Sequence, residues 1–241
     1  GCPHRGVYHV LKKLKLVVSG DIGCYTLGAL PPTESMDTCV CMGASVSMAH
    51  GMNKARGDDF AKKTVAVIGD STFVHSGITG LIDIVYNKGI STVLILDNRT
   101  TGMTGHQHNP ATGFTLKGEP TKEIDFIKLC KAIGVERAVE ADPFDIKTFE
   151  KLLKEELSCD EPSVIVTKRP CALLKGVKYE GPRKIDSAKC KNCKACMLIG
   201  CPAIIDSDGR IEINEALCIG CMLCTKVCNF GAISKAGVIN E

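Results

Sequence analysis

The sequence predicts an α/β fold, a mostly parallel sheet with helices on both faces, followed by a small α+β module built around metal. Three observations lead there. Short apolar, β-branched runs alternate with longer helical stretches through most of the chain. Polar motifs rich in Gly, Asp and Asn follow those runs, where the carboxyl ends of parallel strands gather ligands. The last quarter places eight cysteines in two nearly matching strings, a pattern of metal ligation rather than of core packing.

Taken in order, the strand-like runs are Leu14–Ser19, Thr64–Ile68, Thr92–Leu96 and Ser163–Thr167. Between them Ala44–Arg56, Ser76–Asn87, Lys122–Ile133 and Pro143–Glu156 have helical length and periodicity. From Gly176 to Lys184 the composition turns to Gly, Lys and Pro. The expected domains are therefore 1–176, a linker at 177–184, and a module at 185–241. Within the module Ala203–Ile205 and Arg210–Ile213 flank the turn residues Asp206–Gly209, a short hairpin between the two cysteine strings.

Bulk properties narrow the function. A chain of 241 residues has room for one sizeable domain and one small module. The net charge of +3 is too small and dispersed for a nucleic-acid footprint. No apolar run approaches the roughly 18 residues that cross a bilayer, so no membrane role is expected. Fifteen cysteines without a secretory segment point to a reducing cytoplasm. The start at Gly1 reads as a fragment or a processed product.

The first cysteine string is Cys190, Cys193, Cys196 and Cys201, followed by Pro202; the second is Cys218, Cys221, Cys224 and Cys228. A CxxCxxC run wraps three thiolates round one corner of an iron–sulfur cube, and in two-cluster ferredoxins the fourth Cys of each string serves the other cluster. One [4Fe-4S] cluster is thus expected on Cys190, Cys193, Cys196 and Cys228, and a second on Cys218, Cys221, Cys224 and Cys201. Zinc ribbons pair CxxC units instead, and disulfides need an oxidising compartment. One extra residue before Cys201, and Asn229 where Pro is usual, remove no ligand.

Three polar motifs sit at expected strand ends: Gly20–Cys24, Gly69–Thr72 and Asp97–Thr100. Mg²⁺ takes hard oxygen ligands and shares them with phosphates, which suits a carboxylate at Asp70 and an amide oxygen at Asn98. Ser71 and Thr72 can present backbone N–H groups and hydroxyls to a phosphate as the next helix begins. On spacing alone the same residues also read as a strand-end turn with Asp70 capping that helix. Gly69-Asp70-Ser71 followed by Asn98 is similar to the diphosphate signature of thiamine diphosphate enzymes, although many of those have Gly where Ser71 stands.

Together with Cys2-Pro3-His4-Arg5, the segments Gly20–Gly28, Gly69–Gly77 and Asp97–Gly105, and the two-cluster tail in the same order, the chain resembles the 2-oxoacid:ferredoxin oxidoreductases. Within them the likeness is to the C-terminal part of the large (alpha) subunit of the indolepyruvate type. The resemblance implies a thiamine diphosphate-binding fold and oxidative decarboxylation of a 2-oxo acid, with aryl pyruvates as the expected substrates. Coenzyme A takes the acyl group, and electrons pass through iron–sulfur clusters to ferredoxin. It also implies a smaller beta subunit, and a domain facing the aminopyrimidine ring that this chain does not include.

By the same resemblance Asp70, Asn98 and the Thr100 carbonyl hold Mg²⁺, while Gly23, Cys24, Gly69, Ser71 and Thr72 meet the cofactor. Met103 buttresses it, or is an ordinary loop Met. His75 is a candidate for reaching substrate or phosphate, with a backbone-satisfied histidine as the equal alternative. His106 and His108 are expected to face solvent. Lys189, Lys191 and Lys194 surround the first string and read as a solvated face that can also meet an acidic ferredoxin. Relatives of the pyruvate type carry a further cluster, and Cys2, Cys24 and Cys171 match three of its ligands, the first Cys of its CxxC lying before Gly1. Buried core thiols are the alternative for each of the three. Two other functions stay open: oxidation of pyruvate or another 2-oxo acid, and a non-catalytic electron-transfer module.

Overall fold

The computed structural model describes residues 1–236; positions 237–241 of the 185–241 module lie outside the described residues. The chain opens with α1 (His4–Leu14), β1 (Val17–Gly20), a 3₁₀ turn at Cys24–Ala29, β2 (Thr38–Cys39), α2 (Ala44–Arg56) and α3 (Asp58–Ala61). Next come β3 (Thr64–Gly69), α4 (Asp70–Thr72), a π-helical turn at Phe73–Gly77, α5 (Ile78–Tyr86) and β4 (Thr92–Asp97). After a long loop follow α6 (Phe126–Ile133), β5 (Arg137–Ala141), α7 (Ile146–Leu157) and β6 (Ser163–Lys168).

β1 to β6 form one sheet of six strands in the order β2-β1-β3-β4-β6-β5, with every pair parallel. Strand alternation sends Val65, Val67, Leu94, Leu96 and Ile165 to one face, where α1 and α7 cover them. Ala66, Ile68, Val93, Ile95, Val164 and Val166 go to the other, under α2, α5 and α6. Burial on both faces is why these strands read as unbroken apolar runs. The chain leaves β1 towards β2 on one side and β3 on the other, so strand order reverses at β1/β3. Ligands of open parallel sheets bind beyond the strand ends at such a switch point.

Several boundaries differ from expectation. Leu14 closes α1, because Lys15 takes a left-handed φ of 53°, and β1 therefore starts only at Val17. The Ser76–Asn87 helix continues back without a break to Asp70. The two later helices begin at side-chain caps: Asp125 accepts from Lys128 N–H and Asp145 from Thr148 N–H, which sets their starts after Lys122 and Pro143.

The module comprises β7 (Arg183–Ile185), a 3₁₀ turn at Ala195–Ile199, β8 (Ile204–Ser207), β9 (Arg210–Ile213), α8 (Leu223–Val227) and β10 (Ile233–Lys235). β7 starts inside the 177–184 stretch read as linker and pairs antiparallel with β10. β8 and β9 form the expected hairpin through Asp208 and Gly209, whose φ values of 49° and 82° make the left-handed turn that matches strand twist. Ile199 and Leu223 sit in the same apolar cluster as α1 and α7, and Arg5 of α1 donates to the carbonyls of Ile199 and Gly200. These contacts anchor the module beneath the sheet face that carries α1.

Candidate functional site

The carboxyl ends of β1, β3 and β4 enclose one cavity. Its wall includes Gly23, Cys24, Gly69, Asp70, Ser71, Thr72, Asn98, Thr100 and Met103, so residues far apart in sequence meet where the strand order reverses. The tight placement of Gly69 has a steric reason: a Cβ there would lie 2.5 Å from the Tyr25 ring. Tyr25 folds over this corner and donates to the Ile22 carbonyl at 3.2 Å. Met103 lines the same cavity but is 56% exposed, at its open rim. His75 belongs to the π-helical turn, faces solvent and hydrogen-bonds Ser76 Oγ at 2.7 Å; it is not among the lining residues. His106 and His108 are exposed.

Asp70 is buried at the base of the cavity. One carboxylate oxygen accepts from Ser71 N–H at 2.7 Å and the other from Asn109 Nδ2 at 3.3 Å, so the side chain does not cap its own helix further along. Burial, then the nearby Asp97 carboxylate, push its pKa up to about 7. A carboxylate so poor in partners for its charge is a poised cation ligand. Asn98 is equally buried, and its Oδ1 accepts from Thr100 N–H at 3.2 Å. The donor set, a carboxylate and an amide oxygen beside the first turn of a helix, suits a hard cation bridged to a diphosphate.

Asp21 of the first motif has a different task from the other two. Its buried carboxylate accepts from Gly43 N–H at 3.0 and 2.9 Å and from Ser45 N–H at 3.2 Å. It thereby holds the start of α2, where negative charge is favourable. Gly43 has φ 89°, a left-handed conformation that glycine adopts without strain.

Two residues escaped the sequence reading. Asn109 reaches back from the long loop to Asp70 and also donates to Thr101 Oγ1 at 3.4 Å. His4 is buried between the cavity and the first cysteines: its Nε2 lies 3.3 Å from Asn98 Nδ2 and 3.5 Å from Cys24 Sγ. Burial lowers its pKa to about 4, which keeps the ring neutral. Only its place in the Cys-Pro-His-Arg segment signalled it.

Cys24 lines the cavity, and Cys2 and Cys171 lie near enough for their charge to act on it. Burial raises the Cys24 thiol to about 11, and charge on Cys2 or Cys171 raises it further. The loop after β6 is stitched to the loop after β4 by Cys171 N–H donating to the Asn98 carbonyl at 2.9 Å. The tail thiols line two separate cavities. One holds Cys190, Cys193, Cys196 and Cys228; the other holds Cys201, Cys218, Cys221 and Cys224. Each string thus sends its fourth cysteine to the other group, and each set of four soft thiols faces a largely apolar wall. That chemistry suits a [4Fe-4S] cube. Among the described residues no three or more His, Cys, Asp or Glu close in at single-ion spacing.

The groups stand in sequence. Gly1 and Arg5, beside Cys2, also line the Cys201 cavity, and Tyr179 feels both Cys221 and the Cys171–Cys2 pair. Cys224 of that cavity feels Cys196 of the next. Lys194 is paired with Asp206 at 2.6 Å and Lys189 with Asp186 at 3.6 Å, while Lys191 is exposed.

Comparison with known proteins agrees with this arrangement. Residues 21–167 match the C-terminal TPP-binding domain of thiamine pyrophosphate enzymes, and residues 210–233 match a 4Fe-4S binding domain. The chain is 37% identical to the indolepyruvate oxidoreductase subunit IorA of Archaeoglobus fulgidus over 98% of its own length, and 38% identical to that of Pyrococcus horikoshii over 97%. It spans 39% of the length of each of these curated relatives. In fold it is similar to 2-oxoglutarate:ferredoxin oxidoreductase from Magnetococcus marinus, with a TM-score of 0.60 at 18% identity, covering 73% of this chain and 65% of that one.

Proposed function

We propose, from the premise that this chain belongs to the thiamine pyrophosphate enzyme family and is a homologue of the IorA subunits, that it is the redox half of a 2-oxo acid:ferredoxin oxidoreductase subunit. The observation that supports this most is the adjacency of the β1/β3/β4 cavity to three thiols and then to two four-thiol cavities. A thiamine decarboxylase without electron transfer has no use for that series. An electron-transfer module has no use for a buried Asp70–Asn98 pair at a sheet switch point.

In this reading Asp70, Asn98 Oδ1 and the Thr100 carbonyl hold Mg²⁺, and Ser71 and Thr72 receive the diphosphate at the helix start. Thiamine diphosphate, when bound there, would supply the nucleophilic and electron-sink chemistry for decarboxylating a 2-oxo acid. The chain's residues orient and enclose: Tyr25 and Gly69 close the floor, and Met103 stands at the rim. Cys190, Cys193, Cys196 and Cys228 hold one [4Fe-4S] cluster, and Cys201, Cys218, Cys221 and Cys224 the other. The second set is the inner one, because its cavity is also lined by Gly1 and Arg5, the neighbours of Cys2; Cys2, Cys24 and Cys171 are proposed, by the resemblance, to supply three ligands of a further cluster. Coenzyme A as acyl acceptor, a smaller beta subunit and ferredoxin complete the enzyme.

Aryl 2-oxo acids are the proposed substrates. With the complete enzyme, indolepyruvate or phenylpyruvate should exceed pyruvate in kcat/KM by more than about tenfold, since each methylene-sized difference in an apolar pocket is worth about 10–200-fold. Equal or higher kcat/KM for pyruvate or 2-oxoglutarate would move the chain to another substrate class. Cys228→Ser should remove the cluster of the first string and spare that of the second, as read by iron content and the EPR of the reduced protein. Loss of the second-string signal instead would reverse the pairing.

A further inference from the structure

The two tail cavities present equal sets of thiols but different neighbours. Strand β7 runs past both: Arg183 and Ile185 share one of its faces, and Lys184 takes the other. Ile185 lines the cavity of Cys190, Cys193, Cys196 and Cys228, whereas Arg183 lines that of Cys201, Cys218, Cys221 and Cys224. Arg183 is only 3% exposed, and its backbone N–H donates to Cys218 Sγ at 3.3 Å. Nη2 donates to Glu180 Oε2 at 2.8 Å, but Nε is buried with no hydrogen-bond partner among the described residues. A buried guanidinium N–H without an acceptor is costly, so an acceptor belongs beside it. The described residues of that wall carry no carboxylate, hydroxyl or amide side chain. The cysteine sulfurs, and the sulfides of a cluster they hold, are the acceptors that remain on side chains or cofactor.

The other cations near the thiols are differently placed. Arg5 lines the same cavity, but its Nη1 donates to the carbonyls of Ile199 and Gly200. Lys191 and Lys194 line the first-string cavity, where both are exposed and Lys194 pairs with Asp206 at 2.6 Å. Water and salt screen charges so exposed, and a buried one far less.

We infer that Arg183 tunes the second-string cluster: its buried guanidinium supplies positive charge and an N–H donor to the thiolate–sulfide surface, and so raises that cluster's reduction potential. The inference rests on the reading of the tail as two [4Fe-4S] clusters. Reduction adds one electron, and so one further negative charge, while no bond forms or breaks and no proton needs to move. A fixed cation stabilises the reduced form more than the oxidised one. The cluster so favoured is the one whose cavity Gly1 and Arg5 also line, on the side from which electrons are proposed to arrive.

The test is an anaerobic redox titration of the full chain carrying its tail clusters, read by EPR of the reduced clusters, with iron content and melting curves alongside. Cys228→Ser, which should leave only the second-string cluster, identifies its signal. Arg183→Met keeps the length of the side chain and loses its charge and donors. It should make the second-string cluster at least about tenfold harder to reduce, the scale of one hydrogen bond to a charged group. That is a fall of about 59 mV for one electron. The first-string cluster should move by less than about threefold. Arg183→Lys keeps a charge and should recover about half of the fall or more. An unshifted or raised potential in Arg183→Met, equal shifts in both clusters, or a Lys variant as low as the Met variant overturns the inference. Loss of the second-string cluster from both variants would make Arg183 a structural residue and overturns it too. Each of these leaves the two-cluster reading standing. A wild-type chain that takes up a single cluster overturns that reading, and this inference with it.

Discussion

Asp70→Ala should abolish cation-dependent binding of thiamine diphosphate, with an expected loss of at least about 100-fold, because even partners behind a metal ligand are worth about 10–100-fold. Among the described residues lining the cavity, Asp70 is the only carboxylate, and it lies buried at the base. In the cation-free protein its pKa is pushed up to about 7, chiefly by burial and then by Asp97. Cation binding must therefore displace a proton at lower pH, and affinity should rise with pH up to about 7 and then level off. Asp70→Asn keeps the shape, loses the charge, and should bind weakly at every pH.

Stability has the opposite sign. The raised carboxyl favours the protonated folded state, so its contribution falls as pH climbs from the ordinary aspartate value of 3.8 towards about 7. Asp70→Ala should be at least as stable as the wild type without ligand. It should lack the stabilisation, about 2.7 kcal/mol at 100 times Kd, that cofactor and Mg²⁺ confer on the wild type. Isothermal titration and melting curves with and without the cofactor check both signs.

Removing iron should unfold the tail and leave the large sheet intact. The module's own core is thin: Ala203, Ile204, Ile211, Ala232 and Ile233 are buried, whereas Ile199 and Leu223 belong to the cluster shared with α1 and α7. Modules below about 70–80 residues seldom hold together on apolar burial alone, and here eight thiols occupy the space a core would fill. Anaerobic chelation should erase amide-exchange protection across β7 to β10. The amides of β3, β4 and β6 should keep theirs, since those strands are buried on both faces. Persistent protection of the β8–β9 hairpin without iron would mean that metal does not organise the module.

What the sequence reveals follows from how local each signal is. β3, β4 and β6 are legible because burial on both faces demands uninterrupted apolar residues. β5, Arg137–Ala141, is an edge strand with charges at Arg137 and Glu140, and carries no such run. α1 is strongly amphipathic, yet its His, Arg and Lys residues hide a buried stripe of Val7, Val10 and Leu11. The π-helical turn that turns His75 outwards has no sequence signature. The cysteine grouping is readable because ligand spacing is local and the exchange of fourth ligands is a rule of the motif. Asn109 and His4 act across 39 and 94 residues through single hydrogen bonds, and only the folded chain brings them to Asp70 and Asn98.

If the proposed function holds, a 2-oxo acid decarboxylated at the β1/β3/β4 cavity delivers electrons into the clusters of the same chain. Anaerobic visible absorption of the complete, cluster-loaded enzyme tests it directly. Adding indolepyruvate with thiamine diphosphate, Mg²⁺ and coenzyme A, and no external acceptor, should bleach the iron–sulfur band. The band should stay unchanged when thiamine diphosphate is omitted or Asp70 is replaced by Ala. Clusters that dithionite reduces but that no 2-oxo acid bleaches, or bleaching that persists in Asp70→Ala, would contradict it.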